Sequence, residues 1–202
     1  MNHPVYLVRH GQSEWNVLRR TQGQTAHPRL TELGREQADA AATLIATDLR
    51  QLGLAPQGIE LGIEPDPESC RILSSDLTRA VETARILRMR LGGTLTLDER
   101  LREQHLGSLQ GRDYDETWAI AEQLDWSDPT QLIAGGESRP RLRADGRGSR
   151  PGRPGGGHRA GIARRRSCPL AHLSGLKPNE AEWVAVPNGA VARIVDGVSW
   201  LE

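Results

Sequence analysis

The sequence predicts a single α/β domain, and three observations carry that expectation. A short apolar run, Val5-Tyr6-Leu7-Val8, ends abruptly in Arg9-His10-Gly11. A buried strand of this kind delivers a guanidinium and an imidazole to its C-terminal end, the edge where open α/β sheets bind ligands. A second run, Cys70-Arg71-Ile72-Leu73-Ser74, leads directly into helix-like sequence, and a long helical period lies between the two runs. At 202 residues the chain suits one such domain with a sizeable core.

Taken in order, each element has a local reason. Gly11 lets the chain turn sharply after the first strand and lets a ligand approach the backbone. Ser13 is the expected N-cap of a short polar helix. From residue 30 to about Gly53 a long helix is expected: Leu33, Ala38, Ala41, Leu44, Ile45 and Leu49 recur near helical spacing, with Thr31 as N-cap. Residues 55–69, rich in Pro, Gly and acids, read as a loop with room for a short strand. After the second strand, Ser75 is expected to cap the next helix and Asp76 to complement its dipole, an anion-binding geometry with Arg79 one turn in. Leu95-Thr96-Leu97 reads as a short edge strand. Residues 101–111 read as a tight loop, and a helix carrying Trp118 is expected from about Asp113 to Leu124. Asn188-Gly189 is a turn signal before a final strand ending near Val195.

Composition narrows the function classes. The formal net charge is +0, which gives no case for nucleic acid or an anionic membrane surface as partner. No apolar run is long enough to span a bilayer, and the first strand begins within five residues of the N-terminus, so no signal peptide is expected and a cytoplasmic location is the simplest expectation. Cys70 and Cys168 are far apart and suggest neither a disulfide framework nor a metal knuckle. No His/Asp/Glu cluster has ligand spacing, so no metal and no other cofactor is expected.

Arg9-His10-Gly11-Gln12-Ser13-Glu14-Trp15-Asn16 resembles the RHG-x-[TS]-x-x-N signature of the histidine phosphatase superfamily, in its phosphoglycerate mutase-like branch. The resemblance continues through Gln22-Gly23 and Leu30-Thr31-Glu32-Leu33-Gly34-Arg35-Glu36-Gln37-Ala38, so that it runs unbroken over about residues 4–40. One departure is His27-Pro28-Arg29, where the family usually has an acidic residue and a proline. Ser75-Asp76-Leu77-Thr78-Arg79-Ala80-Val81-Glu82-Thr83-Ala84, the loop Leu101 to Gly111, and Gly135-Gly136-Glu137-Ser138 are similar to later family segments. The resemblance implies a three-layer α/β/α sandwich with a mostly parallel sheet, helices on both faces, and a site at the C-terminal ends of the first strands.

It also implies a chemistry. A neutral imidazole attacks phosphorus, an acid protonates the leaving alcohol, and water then cleaves the phosphohistidine. Charge on the transferring phosphoryl oxygens calls for cationic clamps, for which the planar fork of arginine is well suited. On this resemblance His10 is the nucleophile, Arg9 and Arg79 bind phosphate, Asn16 donates a further hydrogen bond, and Gln22 and Gly23 line the substrate mouth. Glu103 matches the proton donor and would need a raised pKa, from partial burial or a nearby phosphate charge.

The character changes after Ser138. Residues 139–168 hold ten Arg, seven Gly and three Pro, with Leu142 and Ile162 the only large aliphatics. The family places an amphipathic helix here, then a buried strand ending in a second catalytic histidine. His158 is the candidate for that role, although three glycines precede it and Arg159 follows it. Family-like sequence returns at Leu170-Ala171-His172-Leu173-Ser174-Gly175. Residues 139–169 therefore read as a poorly ordered segment of the single 1–202 domain and as the out-of-frame translation of a GC-rich gene; the alternative is a genuine Arg-rich disordered insert. The expected function is hydrolysis of a small phosphate monoester. Gly135 follows Gly111 by only 24 positions, which favours a phosphatase over a mutase, whereas Leu109-Gln110-Gly111 is mutase-like. A phosphate-binding protein without turnover is the reading from another class. The expected partner is a small phosphorylated molecule.

Overall fold

The computed structural model describes residues 4–54, 70–123, 134–137, 186–195 and 197–202. The elements run β1 (Val5–Val8), α1 (Glu14–Val17), α2 (Glu32–Gln51), β2 (Arg71–Ser74), α3 (Thr78–Leu91), β3 (Thr94–Leu97), α4 (Tyr114–Ala121), β4 (Val191–Ile194) and β5 (Val198–Leu201). Single 3-10 turns occupy Glu99–Leu101 and Gly107–Leu109. The loop expected at 55–69, the helix end at Leu124, the segment 139–169 with His158, Cys168, and Leu170 to Gly175 lie outside the described residues.

Capping explains most helix boundaries. Ser13 caps α1 in a reciprocal capping box with Asn16. Thr31 Oγ1 accepts Gly34 N–H at 3.0 Å and starts α2 at the expected place. Asp113 caps α4 by accepting Asp115 N–H at 2.8 Å. Helix α3 corrects the expectation of a Ser75 cap. It begins at Thr78 after an extended Leu77, and no side chain caps it. Ser75 is buried, and its carbonyl accepts the Ser74 hydroxyl at 2.9 Å. Asp76 is ion-paired with Arg102.

The described pairings form two sheets. β2 and β3 are parallel, with Arg71 opposite Thr94 and Ser74 opposite Leu97. β4 pairs antiparallel with both β1 and β5, in the order β1-β4-β5. Parallel pairing, expected to dominate, is thus confined among the described residues to β2–β3. The C-terminal strands follow each other too closely for a crossover and can only pair antiparallel. Strand β5 was not anticipated, although Asp196-Gly197 is a hairpin dipeptide.

Helices α2 and α3 pack together over β1, β2 and β4. The buried cluster is Ala41, Ala42, Ile45, Leu87, Leu91 and Val191, flanked by Tyr6, Val8, Leu44, Leu49, Ile72 and Leu201. Each large aliphatic here contributes about 1.5–3 kcal/mol by leaving water. A polar bridge ties helix to sheet through this core. Asp48 on α2 accepts from Tyr6 on β1 at 2.7 Å and from Arg193 on β4 at 2.6 Å. Burial, followed by the Asp48 hydrogen bond and charge, holds the Tyr6 phenol well above its ordinary pKa. Among the described residues no helix is long and apolar enough to cross a membrane.

Candidate active site

The loop after β1 is fitted into the rest of the molecule at backbone level. A Cβ on Gly11 would stand 2.0 Å from Gly34 O, and one on Gly34 would stand 2.0 Å from Gln12 O. The start of α2 therefore touches the Arg-His-Gly loop only because both residues lack side chains. Gln12 N–H donates to Gln37 Oε1 (2.8 Å), and Gln12 O accepts Thr31 N–H (2.9 Å).

His10 lies at the head of this loop, with Nδ1 2.7 Å from its neighbour's carbonyl, Gly11 O. A carbonyl oxygen can only accept, so Nδ1 carries the proton and Nε2 keeps its lone pair. His105 has the opposite arrangement: its Nδ1 accepts Gly107 N–H at 3.1 Å. The two imidazoles thus use Nδ1 in opposite senses, His10 as donor and His105 as acceptor.

Helix α3 brings the main cation. Arg79, 1% exposed, donates through Nη1 to Thr25 O (3.0 Å) and through Nη2 to Gly23 O (2.8 Å) and Glu103 Oε2 (3.1 Å). Burial pushes its pKa down, and Glu103 opposes that shift. One turn later Thr83, also buried, accepts Gly11 N–H at 3.2 Å and donates to Arg79 O at 2.8 Å. One helix thus holds both the guanidinium and the His10 loop. The Glu103 side chain is one-third exposed. A phosphate reaching Arg79 meets a fork already shared with Glu103.

The other expected site residues have definite places. Arg9 donates its backbone N–H to Ala190 O at 3.0 Å and its Nη1 to Val186 O. Asn16 Oδ1 accepts Ser13 N–H (3.0 Å) and Asn188 Nδ2 (3.2 Å), while its Nδ2 donates to the Tyr114 hydroxyl at 3.3 Å. Its amide braces the loop on three sides. Gln22 is buried with Oε1 2.9 Å from the hydroxyl of Ser13, the residue that caps α1. Gly23 has φ +51°, and a Cβ there would strike Gln110 Oε1 at 2.5 Å. His158 lies outside the described residues.

Residues beyond the expected set complete the frame. Gln110 Oε1 accepts Gln24 N–H (2.8 Å) and Leu106 N–H (3.3 Å), joining the Gly23 turn to the Glu103 loop. Glu137 Oε2 accepts His105 N–H at 2.9 Å, and its backbone N–H donates to His105 O at 2.9 Å. Thr83, Gln110 and Glu137 all sit inside the family-like motifs. Their polar side chains beside motif glycines and Arg79 were the available signal. Among the described residues no group of three His, Cys, Asp or Glu side chains is placed to hold a metal.

Comparison with known proteins agrees with this frame. The chain is 40% identical over 119 residues, 59% of its length, to a probable phosphoglycerate mutase of Yersinia pestis, and that match spans 46% of the relative. Counterparts in Yersinia pseudotuberculosis match to the same degree; the chain thus spans about half the length of these curated relatives. Among solved structures it is similar to a mycobacterial glucosyl-3-phosphoglycerate phosphatase in complex with VO3, at TM-score 0.62 and 29% identity, covering 98% of this chain and 95% of that one. It is also similar to a mycobacterial hydrolase at TM-score 0.60 and 26% identity, covering 99% and 96%. A Thermus thermophilus protein with TM-score 0.56 and 23% identity, covering 98% and 99%, shares the fold. The sequence matches the histidine phosphatase superfamily (branch 1) over residues 5–52 and 65–147, and with its phosphoglycerate mutase-like α/β fold the chain belongs to that superfamily.

Proposed function

We propose that this chain transfers phosphoryl groups through a phosphohistidine on His10 and hydrolyses a small phosphate monoester. The observation that carries the reading is the contact between His10 Nδ1 and Gly11 O, which leaves Nε2 as the nucleophile. In the first step the N–P bond forms as the P–O ester bond breaks, and the leaving oxygen takes its proton from Glu103. In the second, water attacks phosphorus, Glu103 takes its proton, and phosphate leaves. Arg79 and Arg9 balance the charge on the equatorial oxygens. His158, by its place in the sequence, is the remaining candidate for a second imidazole beside the phosphoryl group.

Mutase chemistry is the second reading, favoured by the 40% identity to a probable phosphoglycerate mutase. The phosphatase reading is favoured by the phosphatase among the similar structures and by the short interval between Gly111 and Gly135. Assays with p-nitrophenyl phosphate, and with 3-phosphoglycerate plus 2,3-bisphosphoglycerate, separate the two. Hydrolysis of the first with no turnover of the second is expected. His10→Ala should abolish both acid-labile labelling of the protein and hydrolysis. Phosphate binding without any labelling of the wild-type chain would instead identify a binding protein.

A further inference from the structure

The peptide unit joining His10 to Gly11 is held at both of its polar ends. Its carbonyl, His10 O, accepts Asn188 Nδ2 at 3.1 Å and Gly189 N–H at 3.3 Å. Its N–H, on Gly11, donates to Thr83 Oγ1 at 3.2 Å. Asn188 uses the same amide nitrogen to reach Asn16 Oδ1 at 3.2 Å. The neighbouring residues 186 and 190 hold Arg9 by side chain and backbone. Gly189, at φ +77°, packs so closely on α2 that a Cβ would stand 2.8 Å from Gln37 Cβ. The C-terminal turn is therefore fixed against α2 while it grips the nucleophile's backbone.

We infer that Asn188 and Thr83 are positioning residues that clamp the His10–Gly11 peptide plane from opposite sides and thereby aim His10 Nε2. The inference rests on the reading of His10 as nucleophile. A peptide plane has one rotational freedom relative to its flanking Cα atoms, and gripping both the oxygen and the N–H removes it. The next carbonyl along, Gly11 O, is the one that fixes the His10 tautomer. A tilt of the first plane shifts that carbonyl and the ring together. Thr83 also bonds Arg79 O, so the same hydroxyl relates the aim of the imidazole to the helix that carries the cation.

The test compares Asn188→Ala, Thr83→Val and Thr83→Ser in the full chain. Four readouts are needed: the 15N shifts of the His10 ring, the rate of protein labelling with p-nitrophenyl phosphate as donor, kcat and KM for its hydrolysis, and Tm. Asn188→Ala and Thr83→Val should each lose roughly tenfold in kcat with KM nearly unchanged, the scale of a small misplacement of a reacting group. The Nδ1–H signature of His10 should give way to a tautomer mixture. Thr83→Ser, which keeps the acceptor, should recover most of the loss relative to Thr83→Val. Unchanged ring shifts and unchanged kcat in folded variants would overturn the inference. So would a fall in Tm with no change in kcat per folded molecule, since that is a purely structural role. A tautomer change in the variants with no labelling even of the wild-type chain would uphold the clamp and refute His10 as nucleophile.

Discussion

Helix α3 holds two loops, the His10 loop through Thr83 and the Glu103 loop through Arg79, and they are mounted differently. At the His10 loop glycine packs on backbone at Gly11 and Gly34, and one peptide unit is gripped on both sides, by Thr83 and Asn188. The Glu103 loop also packs glycine on backbone at its far end, Gly107 against Ala134 O and Gly136 against His105 O, but elsewhere it is tied by side chains. Arg102 binds the Asp76 carboxylate, Gln110 accepts two backbone N–H groups, and Glu137 accepts His105 N–H. A nucleophile must attack along one line, so rigid backbone packing suits it.

The largest effect is expected at Arg79, which joins the Gly23–Thr25 turn to the Glu103 loop. Arg79 reaches Gly23 O and Thr25 O on one side and Glu103 on the other with a single planar fork. An ammonium group cannot span those partners. Arg79→Lys should lower kcat/KM for p-nitrophenyl phosphate by roughly 10²–10³, the loss typical of a transition-state donor. Steady-state kinetics measures it. If lysine supports normal turnover, the junction is not a phosphate clamp and the two loops are independent.

The next test sharpens the contrast in rigidity. Gly34→Ala places a methyl group 2.0 Å from Gln12 O, and neither side of that contact can rotate away. Destabilisation of about 3 kcal/mol is expected, at the upper end for overpacking, which lowers Tm by roughly 6–12 °C for a chain of this size. Gln110→Ala removes a side-chain acceptor from the Gln24 and Leu106 N–H groups and should cost less, about 1–2 kcal/mol. Thermal unfolding of the two variants side by side gives the ranking. Equal losses would mean that the two loops are equally rigid.

The same contrast decides what was legible in the sequence. The His10 loop is built from glycines, caps and close neighbours in sequence, so Gly11, Ser13, Thr31 and the α2 period could be read from spacing alone. Its outer clamp could not, because Asn188 acts across 178 positions and nothing local marks a turn as reaching a distant carbonyl. The Ser75 cap failed for a different reason: a bend at Asp76 and Leu77 intervenes before α3 begins, and Ser75 is buried ahead of it. Gln22 was expected at a mouth from the family's Gln-Gly pair, and nothing in the sequence signalled that its amide oxygen would meet the Ser13 hydroxyl. Polar type indicates that a residue has a partner without indicating which one. The Glu103 position was visible in the motif, yet the ion pair that mounts its loop joins two chain-distant surface charges, and surface charges carry no pairing code.

That ion pair provides the smallest and most specific test. The Arg102 guanidinium engages Asp76 and, outweighing the opposing effect of burial, holds its carboxyl below the ordinary value of 3.8. A carboxylate whose folded pKa is depressed stabilises the fold above its unfolded pKa and loses that contribution as pH falls through the folded value. Both partners are about one-third exposed, so solvent screening limits the gain to about 0.2–1 kcal/mol. Asp76→Asn should therefore lower Tm by at most about 4 °C at pH 7, with the gap closing below about pH 4 and shrinking in high salt. Gly34→Ala should keep its full deficit under all of those conditions, because a steric clash neither titrates nor screens. Thermal unfolding of both variants across pH and salt separates charge from packing: a pH-independent Asp76→Asn deficit would mean that Arg102 contributes shape without charge.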